Sequence, residues 1–318
     1  MSPLDSWPAA PRLHAEKFRD PARTLAGEPR AVVAPAHFGT LWVNTGTLCN
    51  IACANCYIES SPRNDALVYP TAAEIEPFVI EARAMGAAEI GFTGGEPFMN
   101  RDLPAMADQA LRRGMRALIL TNAMRPMRRH QEVLSALRAS HGPRLVLRVS
   151  LDHHEGARHD LERGAGSFEQ AMEGLRWLSA EGFVVHVAAR AGFDDADEAA
   201  MRQGFARLFM ERGIAIDAMD PVALMLFPEM DAERDVPEIS EACWGILGKR
   251  PAEIMCASSR MVVKRRGAAA AAVVACTLLP HDPGFEMGGT LAEAWRPVAL
   301  NHPHCARFCV LGGAACSR

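Results

Sequence analysis

Six times between residues 41 and 219 a short β-type run gives way to a longer helical pattern. A chain written this way has few options, because each helix must carry the chain back so that the next strand lies parallel to the last. The strands read as residues 41–45, 89–93, 117–121, 145–151, 184–189 and 214–218. Between them, Thr71-Ala72-Ala73-Glu74 has the form of a capping box, and Ile75, Phe78, Val79 and Ala82 follow at helical spacing. Phe168, Met172, Leu175 and Leu178 repeat that spacing, and Gly86, Gly114, Gly182 and Gly213 each fall just before a strand, as a helix C-cap should. Six units are fewer than the eight of a closed barrel. The expected fold is therefore α/β, a partial (β/α)6 TIM-like barrel, with an open doubly wound sheet as the alternative. Either fold puts its chemistry at the C-terminal ends of the strands.

The alternation defines a core over residues 39–225, preceded by a Pro- and Ala-rich lead-in, residues 1–38. Residues 226–318 break the pattern: 261–264 and 273–277 read as a short hairpin across Arg265-Arg266-Gly267, residues 291–295 as one helical turn, and the end of the chain as a loop. This stretch is short of apolar runs, so a small Cys-rich C-terminal domain ordered by metal is expected. A hydrophobic content of 49% supports a large core, and a formal net charge of −4 leaves no basic surplus for nucleic acid. The N-terminus lacks the pattern of a secretory signal, and no apolar run is long enough to span a bilayer, so the expected location is the cytoplasm, with no membrane partner.

Nine cysteines are distributed unevenly, with none between Cys56 and Cys243. An odd count without a secretion signal argues for reduced thiols that serve a metal or a reaction. Cys49-Asn50-Ile51-Ala52-Cys53-Ala54-Asn55-Cys56-Tyr57 follows the first strand, which places three thiolates on one tight loop. Such a loop suits a cubane [4Fe-4S] cluster, whose irons each take one protein ligand, and three ligands leave one iron open. Structural zinc requires a fourth ligand nearby, and the next cysteine is Cys243. Buried cysteines acting as small hydrophobes would not account for the two fixed gaps.

The loop resembles the Cys-x-x-x-Cys-x-x-Cys signature of the radical S-adenosylmethionine enzymes, and the aromatic Tyr57 fits it as well. Thr93-Gly94-Gly95-Glu96-Pro97, closing the second strand, is similar to the family's Gly-Gly-Glu motif, which implies a binding place for the methionyl amine of the cofactor. Glycines let backbone approach a ligand closely, and a carboxylate meets an ammonium. Thr121-Asn122 ends the third strand and Ser150-Leu151-Asp152 the fourth. With His159-Asp160-Leu161-Glu162-Arg163-Gly164, these resemble the branch that contains sulfatase maturases, peptide maturases and cofactor-biosynthesis enzymes. The resemblance implies a ribose contact at Ser150, a methionyl carboxylate contact at Arg163, and cofactor contacts at Asn122 and Asp152. The neighbouring His153, His154 and His159 are read as structural rather than as a metal site.

Cys256, Gly267, Cys276, Gly288-Gly289-Thr290-Leu291, Trp295 and the run Cys305, Cys309, Cys316 resemble the SPASM or shorter twitch extension, which carries auxiliary clusters, although two of the gaps differ from the usual ones. The six cysteines outside the triplet fall short of the eight that two fully ligated cubanes require, so one auxiliary [4Fe-4S] cluster is expected. Its four ligands would come from Cys256, Cys276, Cys305, Cys309 and Cys316; zinc is the alternative, and Cys243 reads as a packed side chain.

The resemblance implies reductive cleavage of S-adenosylmethionine to a 5′-deoxyadenosyl radical, which takes a hydrogen atom from a substrate. It also implies an electron donor such as flavodoxin or ferredoxin. The substrate reads as a small molecule or cofactor precursor, because the lead-in is too short for a leader-binding domain. A peptide or protein maturase is the alternative, and a non-catalytic iron–sulfur sensor or scaffold a further one.

Overall fold

The structure, a computed structural model, describes residues 11–191, 197–228 and 231–314. Its strands are β1 (Val32–Val33), β2 (Thr40–Asn44), β3 (Glu89–Thr93), β4 (Arg116–Thr121), β5 (Leu145–Ser150), β6 (Val184–Arg190), β7 (Leu224–Phe227), β8 (Ser259–Val263), β9 (Ala272–Val274), β10 (Glu286–Gly288) and β11 (Val298–Ala299). The helices are α1 (Ala72–Ala84), α2 (Leu103–Arg112), α3 (Arg125–Arg128), α4 (Gln131–His141), α5 (Gly156–Arg163), α6 (Ser167–Ala180), α7 (Glu198–Arg212), α8 (Cys243–Leu247) and α9 (Leu291–Ala294).

Strands β2 to β7 pair in chain order and in parallel, giving the partial barrel. β2 and β3 are buried at every position, as expected of parallel strands covered on both faces. The capping box at the start of α1 forms in both directions between Thr71 and Glu74, and Ile75, Val79 and Ala82 turn into the core. Five of the six expected strands match the observed ones to within a residue or so at each end.

The sixth strand differs. Residues 214–218 form no strand, and the sixth parallel strand is β7, paired Val187↔Leu224 and Ala188↔Met225 with β6. The alternating Ile214 and Ile216 follow directly on the left-handed cap at Gly213. Two Asp turns, Met219 N–H to Asp217 and Val222 N–H to Asp220, at 2.8 Å each, then carry the chain back before it can pair.

The C-terminal region is joined to the barrel more closely than its sequence suggests. β8 extends the sheet on the free edge of β2, parallel to it in the register Leu41↔Arg260, and β9 and β10 follow antiparallel. Val262, Val263, Val273, Val274, Leu279 and Leu291 belong to the same hydrophobic core as the barrel. Scattered apolar residues therefore join this region to the core of the barrel. The lead-in also packs: β1 pairs antiparallel with β11, Phe18 is buried, and Arg30 forms a buried ion pair with Glu238 at 2.6 Å. Cys305–Leu311 forms a widened π-type turn where a loop was expected. Cys316 lies outside the described residues.

Candidate active site

The three cysteines of the first loop line one cavity of about 190 Å³ at the C-terminal ends of the strands, together with Tyr57, Gly94, Gly95, Pro97, Asn122, Ser150, Asp152 and Arg163. Backbone bonds hold the loop: Cys49 N–H donates to Ser61 O at 3.1 Å, Ala54 N–H to Glu162 O at 2.8 Å, and Glu59 N–H to Cys56 O at 2.9 Å. Burial pushes the Cys49 thiol up to about 12, with a backbone hydrogen bond at Ile51 opposing and the Glu96 charge adding to the rise. Burial also raises Cys53, against the pull of Arg163. Unmetallated, these groups hold their protons, and a coordinating metal would displace them.

The glycines explain how the loop sits. A Cβ on Gly95 would lie 2.2 Å from Leu48 O, and one on Gly94, whose φ is +135°, would lie 2.5 Å from Gly46 O. Only glycine lets the end of β3 pack on the root of the cysteine loop, where Gly95 N–H donates to Gly46 O at 2.8 Å. Glu96 is not on the cavity wall. It is 1% exposed, and its carboxylate accepts from Thr121 Oγ1 at 2.9 Å, Asn122 N–H at 2.8 Å and Phe98 N–H at 3.2 Å. Burial raises it to about 7, with those three hydrogen bonds and Arg163 opposing. In this structure the Glu96 carboxylate ties the end of β4 to the end of β3. Asn122 does face the cavity, with Nδ2 2.9 Å from Asn50 Oδ1.

On the opposite wall, Arg163 at the end of α5 grips Asp152 with two bonds, Nε to Oδ2 at 2.7 Å and Nη2 to Oδ1 at 2.9 Å. Burial would raise Asp152, but Arg163 outweighs it and holds the carboxyl below its ordinary range. Burial likewise opposes the Arg163 charge, and Asp152 more than restores it. The Asp152 N–H donates to His159 Nδ1 at 3.2 Å, which gives one of the three histidines a structural task.

Several further residues at or beside the cavity were given no role by the sequence. Glu162 accepts from Asn55 Nδ2 at 3.1 Å and from Arg190 Nη1 at 2.6 Å, joining the cysteine loop to β6. Arg148, two residues before Ser150, shares the inward face of β5 and is 1% exposed. The alternation of a strand whose Ser150 faces inward pointed to Arg148 as well. Phe227, Leu278 and Phe308 close the far end with apolar surface, the two phenylalanines stacked at 5.5 Å.

A profile of the Radical SAM superfamily matches residues 43–201, half of the chain. The chain belongs to the radical SAM superfamily. Over 144 residues, 44% of this chain, it is 31% identical to the antilisterial bacteriocin subtilosin biosynthesis protein AlbA of Bacillus subtilis (strain 168), covering 30% of that protein. Over 137 residues, 43% of this chain, it is 31% identical to the Fe-coproporphyrin III synthase of Methanosarcina barkeri (strain Fusaro / DSM 804), covering 33% of it. The matched stretches thus span about a third of the length of these relatives. In fold it is similar to Streptococcus suis SuiB bound to S-adenosylmethionine, with a TM-score of 0.58 and 11% identity over 79% of this chain and 63% of that one.

This radical SAM chain has a second cysteine-lined space. Cys256, Cys276, Cys305 and Cys309 are all buried and border a void of about 20 Å³ with His304 and an apolar remainder that includes Ile254, Leu279, Phe285 and Leu300. His304 Nδ1 is buried there without a hydrogen-bond partner, an orphaned polar atom that a bound group would satisfy. Burial raises Cys305 to about 12, with the Cys256 charge adding to it. Cys256 is raised to about 11 by burial, against the pull of Arg260. Leu278 borders both spaces, and His281 Nε2 lies 3.2 Å from Ile58 O on the cysteine loop. Among the described residues no three His, Cys, Asp or Glu side chains converge as ligands of a single ion would; a cubane takes one thiolate per iron and spreads its ligands around itself. Also among the described residues, no helix is long and apolar enough to cross a membrane.

Proposed function

We propose that this chain is a radical SAM enzyme in which Cys49, Cys53 and Cys56 hold a [4Fe-4S] cluster with one open iron, and S-adenosylmethionine lies across the strand ends beside it. The single observation that carries this is the shared cavity: three thiols on one wall, and Asn122, Ser150, Asp152 and Arg163 around the rest. When bound, the two groups supply one-electron cleavage of the sulfonium bond and a carbon radical able to take a hydrogen atom from substrate, with flavodoxin or ferredoxin as the electron donor. The protein's part is to bind, orient and exclude water. Arg163 keeps Nη1 for the methionyl carboxylate, since Asp152 uses Nε and Nη2, and Ser150 faces the ribose. The backbone of Gly94 and Gly95 meets the methionyl amine, with Glu96 holding that turn in place from below.

A second cluster at Cys256, Cys276, Cys305 and Cys309 is part of this reading, supported by their shared void. A cytoplasmic location suits so many reduced thiols. The apolar far end of the cavity suits a compact substrate, a small molecule or cofactor precursor; a peptide offering one side chain is the second reading, favoured by the likeness to AlbA. Anaerobic reconstitution with iron and sulfide, followed by reduction in the presence of S-adenosylmethionine, should release 5′-deoxyadenosine. A reconstituted protein with about four irons at Cys49, Cys53 and Cys56 and no such product would overturn the reading.

A further inference from the structure

Beside the C-terminal void sits a buried charge that no carboxylate among the described residues balances. Arg260, on β8, is 1% exposed. Its donors go to backbone carbonyls: Nε to Ala294 O at 2.9 Å, Nη1 to Cys256 O at 2.5 Å and to Ser259 O at 2.6 Å, and Nη2 to Arg296 O at 2.8 Å. Its guanidinium also lies 4.9 Å from the centroid of the Trp295 ring. Carbonyl dipoles and a ring face solvate a cation but do not neutralise it, and an unbalanced buried charge is expensive. The acidic groups whose charge reaches it are the thiols Cys256 and Cys276, both on the wall of the void. As neutral thiols they offer no counter-charge. As thiolates on a metal centre they would.

We infer that Arg260 is the built-in counter-cation of an iron–sulfur centre held by Cys256, Cys276, Cys305 and Cys309, and that its bond to the Cys256 carbonyl positions that ligand. The inference rests on the second-cluster reading above. A four-thiolate cubane is net negative and becomes more so on reduction, so a fixed cation beside it favours the reduced state and raises the potential. Arg260 is thus a positioning and tuning residue; it does not touch the substrate cavity.

The test uses the full chain with Cys49→Ala, Cys53→Ala and Cys56→Ala, so that only the C-terminal centre can load. Iron content and a potentiometric titration followed by electron paramagnetic resonance are compared for this parent and for the same chain with Arg260→Lys or Arg260→Met. Arg260→Met should move the reduction equilibrium about tenfold toward the oxidised state, about 59 mV more negative for a one-electron couple, or fail to retain iron. Arg260→Lys keeps the charge but not the fork of carbonyl bonds, and should load and titrate close to the parent. Arg260→Met at the parent's iron content and potential would refute the counter-charge, and so would Arg260→Lys behaving like Arg260→Met, which marks a scaffold role alone. A parent that binds no iron removes the second cluster itself, and the inference with it; that failure is told apart by occurring with Arg260 intact.

Discussion

Two cysteine-lined spaces stand on either side of Leu278, and the chain has surrounded them with opposite chemistry. The first has three thiols and a wall of polar and charged groups, among them Asn122, Ser150, Asp152 and Arg163. The second has four described thiols and an almost wholly apolar wall, with His304 as its polar exception. On our reading the difference is functional. A cluster with an open iron must receive a second molecule, which needs groups that recognise an amine, a carboxylate and a ribose. A fully ligated cluster needs only ligands and the exclusion of water. On that reading the number of thiols and the polarity of the wall vary together because one site would bind something besides metal and the other would not.

The largest break in this comparison comes from removing one ligand set. Replacing Cys49, Cys53 and Cys56 by Ala should remove about four irons and abolish 5′-deoxyadenosine formation while the C-terminal set keeps its own four. Iron analysis and a product assay check this, and loss of all the iron would mean that the two spaces are not independent.

Gly95→Ala should come next. Its Cβ would fall 2.2 Å from Leu48 O, so the turn must lift off the cysteine loop, at a cost of about 3 kcal/mol. Denaturant unfolding should show the loss, and iron at the first site should fall while iron at the second holds. A Gly95→Ala protein with wild-type stability and iron would show that the two loops are free to separate.

Glu96 offers the most specific effect, one with no counterpart at the second site. Its carboxyl is raised by burial from 4.5 to about 7, so the native state holds this proton more tightly than the unfolded chain. The stability it contributes is complete below 4.5 and is lost as the pH rises through about 7. Glu96→Gln cannot ionise and should remove that slope, on the order of 3 kcal/mol across the window. Urea unfolding of both proteins on either side of the window measures it, and equal slopes would refute the assignment.

Much of the first site was legible because its residues lie at the ends of strands whose periodicity is strong: the β3 boundaries, the Thr71–Glu74 cap and the cysteine loop all follow from local pattern. What was hidden is non-local. The expected hairpin forms between β8 and β9, but nothing in Ser259–Val263 tells the strand that its other edge pairs with β2, because parallel pairing is decided by burial against elements far away in the chain. Residues 214–218 carried a strand's alternation without a strand's neighbours. The placement of Glu96 under the cavity, and of Glu162 between the loop and β6, depends on side-chain partners that no spacing rule encodes.

The claim that one cluster is open and the other closed is tested most directly by the response of each to S-adenosylmethionine. The reduced, reconstituted wild-type protein and the variant lacking Cys49, Cys53 and Cys56 are compared by electron paramagnetic resonance with and without the cofactor. The wild-type spectrum should change on addition, and the variant should keep a cubane signal that the cofactor leaves unmoved. A variant signal that shifts with S-adenosylmethionine, or a wild-type spectrum indifferent to it, would contradict the division of labour between the two sites.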